Sequence, residues 1–329
     1  MTSVWDAVDD QFLQIAFPDA ALIIGDANGV LHRVEKGLLR TETNVRSASS
    51  AKMLGGLTLL SLVESGDLGL ADHPQAYLTF WTSEPADPRS QITLSQLLGF
   101  TSGLNYSPST SGCINDPDTT IQACAEEFFQ RGISGNPGEA FFYGPGHLQV
   151  AAAMAEASTG TAFAALFRER IGDPLGLDEG FSFGTPSVTN PRVAGGATIN
   201  GEDFASILRA VLAGELLTDL DQLTADRTAN VIFASRPASV EQRGVDWHYA
   251  AGAWLECDDA PFTDDCAQNP ILSSPGAFGV TPWIDFSAGY FAIIIAEEPF
   301  GGGTSPAAES VAIEQLLQPL IIEALAELD

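Results

Sequence analysis

The sequence predicts an α/β (α+β) fold: an antiparallel sheet flanked by N- and C-terminal helices, with an all-α region inserted. The prediction rests on strand-like runs near both ends of the chain, a long helical middle, and a closing amphipathic run. In chain order, residues 5–17 have helical spacing. "AALIIGD" and "VLHRVEKG" follow as two strands, with Asn28-Gly29 as the hairpin turn. From Ser49 to about Ser65, Met53, Leu54, Leu57, Leu60 and Val63 recur at helical spacing in a helix that reads as half buried, and Gly66 supplies the stop. "TLSQLLGF", "TTIQACAEEFFQRG", "GHLQVAAAMAEASTG" and "TAFAALFRERIG" are the helices of the middle region, which extends to about residue 187. "AAGAWLE", "GAFGVTPWID" and "YFAIIIAEE" are late strands, and a final helix covers about 307–328. Residues 1–55 and 188–329 are therefore expected to form a discontinuous sheet domain and residues 56–187 a mainly helical one, with an active site in the cleft between them.

Composition narrows the function classes. The chain has 329 residues and 34.7 kDa, 45% hydrophobic, enough for a large core. Fourteen basic and 43 acidic residues give a net charge of −29. That sign argues against nucleic acid and anionic membrane as partners. It suits an ordinary acidic protein, with a protein kept soluble in high salt as the alternative. No uncharged run is long enough to span a bilayer; the closing "LLQPLIIEALAEL" is broken by Pro319, Glu323 and Glu327. The four cysteines allow three pairings. They form no C-x-x-C and have no histidine close by, so no metal site is expected. The economical pairing is local, Cys113–Cys124 and Cys257–Cys266, each across a short polar run. Those bonds imply an oxidising compartment, periplasmic or secreted. "MTSVWDAVDDQFL" shows no signal peptide, so the alternatives are a leader already removed or reduced cytosolic thiols.

Chemistry enters at "NVRSASSAKMLGG". Only two lysines occur, Lys36 and Lys52, and the second follows Ser49 by three residues. Positions i and i+3 share a helix face, and helical side chains lean toward the N-terminus, so the Lys52 amine reaches back to Ser49. A serine in the first turn lies where free N–H groups and the helix dipole favour developing negative charge. Burial lowers a lysine pKa, leaving an amine able to accept the serine proton. Spacing alone also fits an N-cap serine beside a surface lysine.

"QITLSQLLGFTSGL", "NPGEAFFYGPGHLQVAAAMAEASTG" and "SSPGAFGVTPWID" follow the S-x-x-K in order. Together these four anchors resemble the serine β-lactamase and penicillin-binding protein superfamily, closest to class C β-lactamases and family VIII carboxylesterases, over about residues 10–320. The resemblance implies a β-lactamase/transpeptidase-like fold and a serine hydrolase with no metal or organic cofactor. It implies Ser49 as nucleophile, Lys52 as its base and Tyr143 as second base and proton donor, with a pKa lowered by nearby N–H groups and Lys52. It also implies an oxyanion hole from the backbone N–H groups of Ser49 and Ala277, with Gly276 letting a Gly-rich strand come close to substrate. Ser274, Pro275, Gly276, Pro145 and His147 are then the expected substrate-binding residues, with Gln149 in the same cleft.

Two departures shape the substrate expectation. Tyr143-Gly144-Pro145 lacks the Asn of the usual Tyr-x-Asn, and Ser274-Pro275-Gly276 lacks the Lys or His that opens the third motif. With no cation for a carboxylate, neutral small-molecule esters, or small amides, are the expected substrates. A β-lactamase or D,D-peptidase, and a non-catalytic peptide-binding scaffold, are the competing readings. "GFSFG" around Ser182 mimics a nucleophile elbow, but the "TPSVTNPR" that follows cannot open a helix cleanly. None of His32, His73, His147 and His248 has a triad context.

Overall fold

The structure, a computed structural model, describes residues 3–104, 112–258, 260–299 and 304–328. Its strands are β1 (Ala20–Asp26), β2 (Gly29–Lys36), β3 (Val45–Arg46), β4 (Ala140–Phe142), β5 (Ser182–Phe183), β6 (Ala197–Ile199), β7 (Ile232–Ser235), β8 (His248–Tyr249), β9 (Trp254–Leu255), β10 (Ile271–Ser273), β11 (Thr281–Asp285) and β12 (Tyr290–Ile295). Its α-helices are α1 (Asp6–Leu13), α2 (Ala51–Glu64), α3 (Leu94–Leu98), α4 (Ile121–Arg131), α5 (Gly146–Thr159), α6 (Phe163–Phe167), α7 (Asp173–Leu175), α8 (Gly201–Leu212), α9 (Leu220–Thr224), α10 (Ala238–Glu241), α11 (Asp264–Gln268) and α12 (Pro306–Leu328).

The main sheet is antiparallel with order β2-β1-β12-β11-β10-β9-β8, so its centre joins the two ends of the chain. β1 and β12 pair in register, Ile23 opposite Ile293. Alternate residues of each strand enter different cores. Ala20, Leu22 and Ile24 pack with Val8 and Phe12 of α1 and with Ile313, Leu317 and Ile321 of α12. Ala21 and Ile23 pack on the other face with Phe204, Ile207 and Val211 of α8. Burial on both faces explains why these strands read as continuous apolar runs instead of alternating ones.

Several expected elements differ. α1 stops at Leu13, and the chain bends through residues 14–19 before β1 begins at Ala20. In the hairpin, Ala27 and Asn28 make the turn, while Gly29 already belongs to β2. The Asp26 carboxylate fixes this turn by accepting the N–H groups of Asn28 and Gly29 at 2.7 and 3.0 Å. α2 is enclosed on nearly all sides. Gly56 makes that possible: a Cβ there would lie 2.2 Å from Ala251 O. The expected strand over 276–285 begins only at Thr281, because Gly276 N–H donates to Val280 O at 2.6 Å and closes a tight turn after β10. α8 and the parallel pair β4–β7 were not foreseen. Among the described residues, no single helix is long and apolar enough to cross a membrane; α5 with the helical stretch from Phe163 to Leu175 passes that test only as a pair bent by 82°.

Candidate active site

Ser49 lies in a 3₁₀ turn, Ala48–Ser50, that leads directly into α2. The preceding Ala48 has φ 45°, a left-handed conformation costing an alanine about 1 kcal/mol or more. Flanking bonds hold this entry in place. Ser47 N–H donates to Ala197 O at 3.0 Å, Ser50 Oγ to Val280 O at 3.1 Å, and Ser274 Oγ to Ser49 O at 3.1 Å. Gly276 allows the turn after β10 to seat here, since a Cβ would meet Ser47 O at 2.3 Å and Ser50 Oγ at 2.7 Å. Ser274, Pro275 and Gly276 are thus buried braces of the serine's own segment and do not line the cavity beside it.

Lys52 is 4% exposed, with Nζ 2.9 Å from Ser49 Oγ and 2.9 Å from Ala194 O. Burial, reinforced by the Arg192 charge, lowers its pKa to about 7. Near neutral pH the amine is therefore free of its extra proton about half the time, able to accept the Ser49 hydroxyl proton while donating to Ala194 O. Nζ also sits 4.6 Å from the centre of the Tyr143 ring.

Tyr143 hydrogen-bonds Ser49 through its side chain, and its N–H donates to Ser235 Oγ of β7 at 3.0 Å. Trp254 stacks on the ring at 5.7 Å and Tyr249 meets it edge-on at 6.5 Å. This apolar enclosure pushes the Tyr143 pKa up to about 12, opposite to the expected lowering. The hydroxyl keeps its proton at neutral pH, so Tyr143 suits proton donation, and Lys52 is the basic member of the pair.

His147 does not face the cavity. It is fully buried, stacked on Phe100 at 4.7 Å, with Nδ1 2.8 Å from Ser102 Oγ and Nε2 2.9 Å from Phe142 O. A carbonyl can only accept, so Nε2 carries the hydrogen and Nδ1 accepts from Ser102. Burial holds the His147 pKa down at about 3, which keeps the ring neutral. The imidazole thereby pins the peptide just before Tyr143 to the Thr101-Ser102-Gly103-Leu104 loop.

A cavity of about 370 Å³ opens beside Ser49, lined by Ser49, Lys52, Tyr143, Pro145, Arg192 and Ala277 among others. Gln149, buried on α5, organises its far wall. Its Nε2 donates to Asn190 Oδ1 at 3.0 Å and Pro191 O at 3.2 Å, and its Oε1 accepts from Val193 N–H at 3.4 Å. Asn190 Nδ2 in turn donates to Cys113 O at 2.7 Å. The Cys113 and Cys124 sulfurs are 2.08 Å apart and those of Cys257 and Cys266 2.05 Å, the two local pairs expected.

Arg192 was missed by sequence reasoning: the third motif lacks its Lys or His, as expected, but the cavity has a cation from another loop. Gln149 positions the loop that carries it; neither residue has a spacing signal tying it to Ser49. Ser182 lies in β5 opposite Thr198 of β6, and no helix begins before Gly201, so it forms no elbow. His32 and His248 each meet an aspartate, at 2.6 and 2.7 Å, whereas His147 meets a serine. Among the described residues no imidazole joins both.

The fold and this serine–lysine–tyrosine cluster define a class of β-lactamase-like proteins. The Beta-lactamase family matches residues 5–314, and the chain belongs to that family. It is 29% identical over 186 residues to lovastatin esterase of Penicillium rubens, covering 51% of this chain and 46% of that protein. It is 27% identical over 171 residues to penicillin-binding protein 4 of Amycolatopsis lactamdurans, covering 49% of this chain and 44% of the other. The match thus spans less than half the length of either curated relative. A provisionally named β-lactamase of Bacteroides dorei shares the fold with a TM-score of 0.81 at 24% identity, covering 97% of this chain and 99% of that one.

Proposed function

We propose that the protein is a serine hydrolase that cleaves esters, or small amides, through an acyl-Ser49 intermediate, a β-lactamase-related esterase. One observation carries the reading: the Lys52 amine, with its pKa brought to about 7, lies 2.9 Å from Ser49 Oγ at the edge of a substrate-sized cavity. Membership of the Beta-lactamase family and the likeness to an esterase support it.

In this mechanism neutral Lys52 takes the Ser49 proton as Oγ attacks the carbonyl carbon. The Ser49 and Ala277 N–H groups and the positive end of α2 stabilise the oxyanion. Tyr143 passes its proton to the leaving oxygen or nitrogen, and the Lys52 ammonium returns one to Tyr143. Water then attacks the acyl carbon, its proton leaving by the same groups, and Ser49 departs protonated. Lining residues come from the sheet side, at Ala277, and from the helical side, at Tyr143 and Pro145, so the cleft would join the proposed sheet domain (1–55 and 188–329) to the proposed helical domain (56–187). A fluorescent serine-directed phosphonate tests the reading. Labelling at Ser49, lost in Ser49→Ala, is expected together with aryl-ester turnover. An unlabelled wild-type protein that turns over no ester would favour the peptide-binding scaffold.

A further inference from the structure

We propose that Arg192 binds a carboxylate carried by the ester or amide that Ser49 attacks; the proposal rests on the hydrolase reading above and names its substrate class. The other arginines are all occupied. Arg33, Arg40, Arg46, Arg89, Arg131, Arg168, Arg170, Arg209 and Arg236 pair with carboxylates, while Arg227 and Arg243 bond carbonyl or amide oxygens. In a chain with 43 acidic residues and 14 basic ones, a cation would be expected to find a partner. Among the described residues, Arg192 is the arginine whose side chain has no hydrogen bond or ion pair, and its Nε is buried with no partner. Burying a charged donor unpaired is unfavourable, and the matching ligand chemistry is a planar anion that accepts two parallel N–H bonds.

Its position is specific. Arg192 lines the same 370 Å³ cavity as Ser49 and Lys52, and no Asp or Glu is among the described lining residues. The loop that presents it is fixed. Arg192 N–H donates to Thr185 O at 2.8 Å, and Arg192 O accepts from Gly195 and Gly196 N–H at 2.9 and 2.6 Å. Pro191 O and Val193 N–H, on either side, are held by buried Gln149. A Cβ at Gly196 would come within 2.9 Å of Arg192 Cβ, so that stem is packed close as well. The anchored backbone, free guanidinium and absence of a lining carboxylate make a local positive site in a molecule of charge −29. This replaces the expectation of neutral esters with one of esters or amides bearing a second, anionic group.

The test uses two ester pairs. 4-Nitrophenyl hydrogen adipate against 4-nitrophenyl hexanoate places the carboxylate on the acyl side. 3-Carboxyphenyl butyrate against phenyl butyrate places it on the leaving group. Wild type should favour the anionic member of at least one pair in kcat/KM by about tenfold or more. Arg192→Gln should remove that advantage, and Arg192→Lys should keep part of it, since an ammonium retains the charge without the fork. A wild-type preference for the neutral member in both pairs overturns the proposal. So does an Arg192→Gln ratio within about twofold of wild type. Calorimetry on the Ser49→Ala protein separates this claim from the hydrolase reading, because it needs no turnover. In the pair that wild type favours, the anionic ester should bind more tightly than its neutral partner, and adding Arg192→Gln should abolish the difference. Equal binding of the anionic and neutral members in both pairs to Ser49→Ala sinks the carboxylate site even if Ser49 is an active nucleophile.

Discussion

Two buried clusters in this molecule hold groups whose pKa values are moved toward neutrality, and they differ in what surrounds them. At the start of α2, burial and the Arg192 charge bring Lys52 down to about 7, and a cavity opens beside it. Between the sheet and α12, burial pushes Glu256 and Glu314 up, Glu314 further because of the Glu256 charge, and Gln318 Nε2 donates to Glu256 Oε2 at 3.1 Å. Glu256 is only 5% exposed and Glu314 fully buried, and neither lines the cavity of Ser49. A shifted pKa therefore marks burial in both places, and only at Lys52 is it joined to a serine hydroxyl and an open cavity. The two groups also oppose each other in sign. The carboxyl pair favours the folded state below the unfolded carboxyl pKa and loses that contribution as pH rises through its raised values, about 7 for Glu256. Lys52, depressed from 10.5, contributes above 10.5 and loses the contribution as pH falls through about 7.

The largest effects expected are on turnover. Ser49→Ala and Lys52→Ala should each lower kcat/KM for an aryl ester by about 10³-fold or more while remaining folded, whereas Glu314→Gln should leave kcat/KM near wild type. Residual activity of Lys52→Ala within about tenfold, or 1.4 kcal/mol of barrier, would erase the contrast between the clusters. Tyr143→Phe should cost about 10²-fold in kcat, as loss of a proton donor does. The carboxyl pair is read through stability. Denaturant unfolding of wild type should show a loss on the order of 3 kcal/mol between about pH 4.5 and 7.5 from the Glu256 shift, and Glu256→Gln should flatten the slope. Identical pH profiles for the two proteins would show that burial does not hold Glu256 protonated as described. The smallest effect expected is at His147. His147→Phe removes the bond to Phe142 O, so kcat should fall severalfold with stability lower by about 1 kcal/mol, while KM changes little.

What could be read from the sequence follows from distance along the chain. Ser49 and Lys52 are one helical turn apart, so helix geometry alone brings them together. The apolar runs of β1 and β12 announce a sheet made from both ends. Arg192 carried no such signal: a single arginine in a Gly-rich loop looks like any solvated residue, and only the fold reveals that its guanidinium lacks a partner among the described residues. His147 and Gln149, both near the start of α5, gave no hint that one would brace Tyr143 and the other the Arg192 loop. β4 and β7 are three and four residues long and pair across about ninety positions, too short for a periodicity to declare them. α8 had a readable signal that went unused: Asn200 caps Asp203 N–H at 2.8 Å, and Phe204, Ile207, Leu208 and Val211 have helical spacing. The Gly276 turn was misread because glycines that permit a strand to approach a substrate and glycines that permit a turn to approach the backbone of residues 47–50 look the same in sequence.

The most direct test of the central claim, that Lys52 is the base for Ser49, is the rate of Ser49 labelling by a neutral serine-directed phosphonate from pH 5 to 9. The rate should climb through a single ionisation near the Lys52 value of about 7 and then level off, since Tyr143 stays protonated to about 12. Lys52→Ala should label slowly with no inflection there, and Arg192→Gln should move the inflection to higher pH by relieving the like-charge contact. A wild-type rate that is flat across this range, and unchanged in Lys52→Ala, would contradict the account.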